Sequence, residues 1–296
     1  MFGEQGIACF CTDDDLAAHR RLYNLEAYLR YLVRWELIGL FGIEWLGKLG
    51  SIKKDALKTM EDERQLGVID YDPRNPLSYT VAKDLQTTID GIIWDSLSAW
   101  MPRADILQAE FEILRALRNK SAHLRRLTPR DLRSLDRIES TFTHATAQYR
   151  EVRRQAVDMS SIRRPEVPSP LRPGLKKWFA DADAVDGKWT DLKLSSVGTY
   201  LRIDARLRVG AFHPAAVGEA VKSAETDAFF LSMDDPTGRL SAYVPACLTK
   251  DQASKVFAAL QNMRTVGDTL QEEPFEVPFF DFVFPIHVEL PAALRL

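Results

Sequence analysis

The chain has 296 residues, 46% of them apolar and 27% charged, the make-up of an ordinary globular protein with room for one large or two ordinary domains. A net charge of −3 does not mark the whole molecule as a nucleic-acid binder, and three cysteines (Cys9, Cys11, Cys247) exclude a disulfide framework and point to a reducing, cytoplasmic setting. Glu44 and Lys48 interrupt the most apolar stretch, so no membrane span is expected, and no basic, then apolar, opening suggests a signal peptide.

Taken in chain order, Asp13-Asp14-Asp15 reads as an acidic start to a long helix over residues 16–41, with Leu22, Leu25, Leu29, Leu32, Val33 and Leu37 on its apolar face. His19 beside the aspartates is a conceivable metal set, but the helix start is the better reading. Cys9-x-Cys11 is too tight for a zinc knuckle. A second helix is predicted over 43–66 and ends before the DPRNP turn at 72–76. A third runs from Leu77 to Met101, with Trp94, Leu97 and Trp100 at helical spacing for core packing. Pro102 opens a fourth helix over 103–126, and Pro129 a fifth that reaches about Val157. Helices with short connections make an antiparallel bundle over residues 1–159.

Residues 160–174 hold four prolines without helical period and read as a semi-rigid linker or surface-hugging arm. Beyond them, over 175–296, the period changes. YLRIDARLRV (200–209) alternates, residues 214–224 look helical, and two strands flank the turn Asp234–Gly238. Residues 249–263 form an amphipathic helix capped by Thr249, and 281–290 close the chain as a strand. That order, β-α-β-β-α-β, is the ferredoxin-like arrangement. The expected fold class is therefore α+β in two domains, an all-α bundle followed by a smaller α/β domain.

Charge is unevenly spread. Residues 1–110 carry −6, residues 111–173 carry +7, and residues 174–296 carry −4. The basic block contains Arg118-Asn119-Lys120-Ser121-Ala122-His123, the segment that carries chemistry. An imidazole exchanges protons near neutral pH, and a guanidinium holds a phosphate with paired hydrogen bonds. On an ideal helix Asn119 and His123 share a face, whereas Arg118 lies roughly 140° from His123. The two converge if the helix loosens at Lys120-Ser121, if a long arginine reaches across a cleft, or if two chains meet there. His213, His287 and His144 have no such context. No P-loop, G-x-G-x-x-G, G-x-S-x-G or H-E-x-x-H pattern occurs, which removes the enzyme classes built on them.

The segment resembles the R-x4-6-H signature of HEPN domains, with the polar residue that the family carries after the arginine, here Asn119. The upstream helix LYNLEAYLRYLVRWELIGL, with Glu26 and Arg30 amid leucines, suits the same family, and the resemblance covers about residues 15–156. It implies an all-helical, dimerising bundle and a metal-independent endoribonuclease, in a toxin–antitoxin or phage-defence setting. Arg118, Asn119 and His123 are then catalytic, and Lys120, Arg125 and Arg126 bind substrate. No metal or cofactor is implied. The implied partners are RNA, a second copy of the chain, and an antitoxin or regulatory protein. Two alternatives stay open: a non-catalytic HEPN-like module that binds RNA or nucleotides, and a protein-interaction module. The acidic C-terminal region is expected to restrain the bundle, so that its deletion leaves a folded bundle with stronger RNA binding.

Overall fold

A computed structural model describes residues 13–67, 76–123, 125–153, 167–210, 229–235 and 238–263, with isolated positions 212, 220, 224 and 265. The protein is α+β: helices dominate the first half and a four-stranded antiparallel sheet the second.

Helix α1 (Asp13–Phe41) starts on its three aspartates, which favour the positive end of the helix dipole. It buries Leu22, Leu25, Leu29, Val33 and Leu37, the predicted stripe. It ends because Gly42 turns the chain at φ +55°, a conformation that costs glycine nothing. The single helix predicted over 43–66 is divided: a 3₁₀ turn (Gly42–Glu44), a short α2 (Trp45–Lys48), then α3 (Ser51–Gln65) beyond Gly50, which also has positive φ. Only Ala56 of α3 is buried, so this helix lies on the surface. The predicted helix at 77–101 is likewise segmented into a 3₁₀ turn (Pro76–Tyr79), α4 (Ala82–Thr88), a π-helical turn (Ile89–Ile93) and α5 (Trp94–Leu97). The extra residue in a π turn shifts the helical phase, and Leu85, Ile89, Ile93, Leu97 and Trp100 all stay buried.

Helix α6 (Ala104–Ala122) stops four residues short of the predicted end, with His123 as its C-cap. The next helix makes that stop necessary. Thr128 Oγ1 accepts from the Asp131 N–H (3.3 Å), and the Asp131 carboxylate accepts from the Thr128 N–H (2.6 Å). This reciprocal cap starts α7 (Pro129–Arg153).

The stretch read as a linker proves different where it is described. Val167 and Leu171 are fully buried, and α8 (Arg172–Asp183) follows with Leu175 and Trp178 in the core. Prolines misled the reading because Pro173 lies in the first turn, where a missing N–H costs no helical hydrogen bond. A strand that the alternation did not reveal comes next, β1 (Trp189–Val197), followed by β2 (Tyr200–Leu207), β3 (Phe230–Asp235), β4 (Arg239–Pro245) and α9 (Lys250–Gln261). Thr249 caps α9 as expected, accepting from the Gln252 N–H. The sheet order is β1-β2-β4-β3. Strands β2, β3 and β4 and helix α9 match predicted elements, and Ala220 and Ala224 are helical where a helix was predicted. The predicted closing strand, 281–290, lies outside the described residues, as do His213 and His287.

Both faces of the sheet are used. Trp189, Leu194, Leu201, Ile203 and Leu207 point to α8 and α9, where Trp178 meets Trp189 edge-on at 5.2 Å and Phe257 at 6.1 Å. One end of the other face receives α1. Trp35 stacks on Tyr200 (centroids 3.8 Å apart) and touches Phe230 and Tyr243, while Tyr200 Oη donates to the Trp35 carbonyl at 2.5 Å. Gly39 is required at this seam, because a Cβ there would stand 2.1 Å from Thr199 Oγ1 and 2.6 Å from the Tyr200 ring. The hydrophobic core runs unbroken from the helices into the sheet.

Candidate functional site

The candidate site lies where the first half of α1 meets the end of α6 and the start of α7. Its anchor is Glu26, buried among leucines at 5% exposure. A carboxylate in such surroundings needs cationic partners, since an unpaired buried charge is costly. Arg30 donates from Nη2 to Glu26 Oε2 at 3.1 Å and also to the Thr80 carbonyl at 3.0 Å. Arg118 places Nε 3.0 Å from Oε1, an ion pair in which the N–H is not aimed at the oxygen. The α6 arginine is thus held through its Nε edge. Among the described residues its two terminal nitrogens have no other partner, and its side chain is 40% exposed. One carboxylate faces two guanidinium groups, so this cluster retains one positive charge.

His123 leaves the helix at φ −91°, ψ 18°, its N–H still bonded to the Asn119 carbonyl at 3.2 Å, and its exposed imidazole makes no hydrogen bond among the described residues. Asn119 is exposed on the last turn. A second histidine reaches the same corner from α1: His19 Nδ1 and Ser121 Oγ are 2.9 Å apart. Two imidazoles from two helices therefore lie at one helix terminus within a single chain.

The remaining basic residues divide. Lys120 bonds to Asp131, and Arg126 Nε lies 3.4 Å from Asp15 Oδ2. Arg125 is exposed and has no side-chain partner among the described residues. Partial burial pushes the Asp131 carboxyl up. The Lys120 ammonium and the Thr128 N–H and O–H outweigh that and hold it down, at about 2. Asp15 answers an arginine, and no group of three or more His, Cys, Asp or Glu suited to a metal ion occurs among the described residues. Behind the corner, Arg21 grips Glu139 through two nitrogens and Asp136 through one, and Arg137 forks onto buried Glu110. These bidentate pairs fix α1 against α7 and α6 against α7.

Arg118, Asn119, Lys120 and His123 share one helix end, while Arg125 and Arg126 follow on the connection to α7. Three participants had no predicted role: Glu26, His19 and Ser121. Glu26 left a signal, because a Glu–Arg pair four apart inside a leucine face must be buried and must find charge partners. The His19–Ser121 contact spans 102 residues and leaves no local trace in the sequence. No helix among the described residues is long and apolar enough to cross a membrane. No family model matches the chain, and neither the curated proteins nor the solved structures give a match to it.

Proposed function

We propose that the chain is a metal-independent endoribonuclease of the HEPN type, working in a toxin or phage-defence role. The observation that carries this reading is the presentation of Arg118. Glu26 holds its Nε edge, and among the described residues its two terminal nitrogens stay open on the same helix end as the exposed His123. In the reaction, a base takes the proton of a ribose 2′-hydroxyl and the 2′-oxygen bonds to the adjacent phosphorus. The bond to the 5′-oxygen breaks, and that oxygen receives a proton from an acid. The products are a 2′,3′-cyclic phosphate and a free 5′-hydroxyl. His123 serves as base and His19 as acid, or the reverse; such transfers contribute about 10²–10⁴-fold. The Arg118 fork stabilises charge on the phosphoryl oxygens, a contribution of several kcal/mol for a preorganised donor. Asn119 orients the phosphate or the imidazole, and Lys120, Arg125 and Arg126 contact flanking phosphates. A homodimer would place two such corners around one cleft. The test is total RNA in EDTA with wild type, Arg118→Ala and His123→Ala. The expected result is cleavage by wild type and a loss of orders of magnitude in both variants at unchanged thermal stability. Equal cleavage by His123→Ala overturns the assignment.

One observation favours a second reading, an RNA- or nucleotide-binding module without cleavage. Among the described residues His123 has no hydrogen-bond partner to fix its ring, whereas a general base is ordinarily oriented by a third group. Salt-dependent RNA binding without products in EDTA selects this reading.

A further inference from the structure

The sheet face that receives Trp35 at one end is open at the other, where a cleft of about 510 Å³ lies over the ends of β1, β2 and β4. That volume is in the usual range for a small-molecule site. Lys193, Arg206 and Arg239 line it together with Asp191, Asp204 and Ser241. Three features set it apart from an ordinary solvated strand surface.

The first is a like-charge pair in direct cross-strand register. Arg206 and Arg239 are direct cross-strand partners, so their side chains leave the same face side by side. Like charges in that position are destabilising. Both are exposed; Arg206 has Thr190 as its other cross-strand neighbour, and Arg239 has Asp235 of β3. The neighbouring pair shows the contrast: Asp204 accepts from Arg202 Nε at 2.8 Å and from Ser241 Oγ at 2.5 Å. With Asp204 taken up by Arg202, three cations share this end of the sheet with Asp191 and Asp235, an excess of one positive charge.

The second is the β-bulge in β1. Thr190 pairs with Arg206 and Lys193 with Asp204, so Asp191 and Leu192 together oppose Ala205. In a regular strand, residues three apart point to opposite faces. The bulge instead brings Lys193 to the cleft face with Thr190, while Trp189 and Leu194 both stay in the core. The third is the conformation of Asp191. At φ +54° it is the one non-glycine residue with positive φ among those described, and it stands at the lip of the cleft. Such backbone is unfavourable for an L-residue and persists where the surroundings impose it.

We propose that this cleft binds the phosphate group of a small phosphorylated molecule, with the Arg206 and Arg239 guanidinium groups gripping its oxygens and Lys193 completing the charge balance. Two planar guanidinium forks side by side match the paired oxygens of a tetrahedral phosphate. The Asp191 carboxylate is placed to accept a hydroxyl from the rest of the ligand. This site is independent of the Arg118–His123 corner and of whether that corner cleaves RNA.

The experiment uses the full chain and inorganic pyrophosphate as probe, followed by titration calorimetry and thermal melting. A second arm uses a five-nucleotide RNA with 2′-O-methyl riboses, which resists cleavage. Wild type is expected to bind pyrophosphate. Arg206→Gln and Arg239→Gln should each weaken it about ten- to a hundredfold, as loss of a charged hydrogen-bond donor does. The exposed Lys58→Gln on α3 should leave it unchanged. Arg206→Gln, free of ligand, should melt at or above the wild-type temperature, because it removes a repulsion and its other cross-strand neighbour is the neutral Thr190. The proposal is overturned if pyrophosphate does not bind, if only the RNA binds, or if both arginine variants bind like wild type. It is also overturned if Lys58→Gln weakens binding equally, or if the unliganded Arg206→Gln variant melts lower than wild type.

Discussion

Replacing Glu26 by Gln tests the logic of the candidate site most directly. The carboxylate is 5% exposed, and its two partners differ: the Arg30 side chain is 14% exposed and that of Arg118 40% exposed. Removing one member of a fully buried ion pair costs about 3–5 kcal/mol. Here Arg118 can turn to water, and its share falls toward that of a surface pair, at most about 1 kcal/mol. Arg30 cannot withdraw as easily, although the Thr80 carbonyl still accepts from it. The expected loss is therefore about 2–3 kcal/mol, which for a chain of this size lowers the melting temperature by about 3–5 °C. A double-mutant cycle with Arg118→Met should assign less than about 1 kcal/mol of that to the Arg118–Glu26 contact. Cleavage should fall much further than stability, because an Arg118 released from its anchor no longer offers its fork in a fixed place. An unchanged melting temperature, or cleavage that falls only in proportion to the folded fraction, refutes the anchoring argument.

Gly39→Ala places a methyl group against Thr199 and the Tyr200 ring, and should cost about 1–3 kcal/mol with a change in Trp35 fluorescence; a wild-type melt and spectrum would show that the seam yields freely. Tyr200→Phe removes the hydrogen bond to the Trp35 carbonyl and should cost about 1 kcal/mol in denaturant unfolding. For Asp131 the folded pKa of about 2 lies below the ordinary 3.8, so its stabilisation is present above pH 3.8 and is lost as pH falls toward 2. Lys120→Met should raise that pKa and move acid unfolding to higher pH, as a pH titration by circular dichroism would record. His19→Ala should flatten one limb of the pH–rate profile for RNA cleavage at unchanged stability; an unaltered profile removes His19 from the proton transfers.

What could be read from the sequence was what a local pattern determines. The leucine stripe of α1, the Thr249 cap of α9 and the alternation of β2 follow from residues within a turn or two of one another, and they appear where expected. The failures have separate causes. Strand β1 was hidden because its bulge breaks the alternation between Thr190 and Lys193, so that the period-two signal cancels itself. Helix α8 was hidden by prolines that sit at or before its first turn. The early end of α6 depends on a cap formed six residues beyond, by Thr128 and Asp131. At the site, the R-x4-H spacing was visible, but the partner that holds Arg118 lies 92 positions earlier on another helix, and only the folded chain brings it there.

Helix α1 connects these observations. Glu26 and Trp35 are nine residues apart, about 13 Å along the same helix, one holding Arg118 and the other stacked on the sheet. Trp35 is nearly fully buried, and Tyr200, Phe230 and Tyr243 supply its cover, all from the C-terminal half. Deleting that half therefore does more than remove the proposed restraint on RNA access. It bares Trp35 and strips Gly39 and Gly42 of their contacts with Thr199 and Leu248, at the end of the helix that carries Glu26. Weaker RNA binding by a truncated bundle then has two explanations, a lost phosphate-gripping surface or a loosened α1. Point variants on the open end of the sheet separate them, because Arg206 and Arg239 are exposed and lie away from the Trp35 seam. Autoinhibition by the C-terminal half is thus better tested by charge reversal on its surface in the full chain than by truncation, since charge reversal leaves the α1–sheet packing in place.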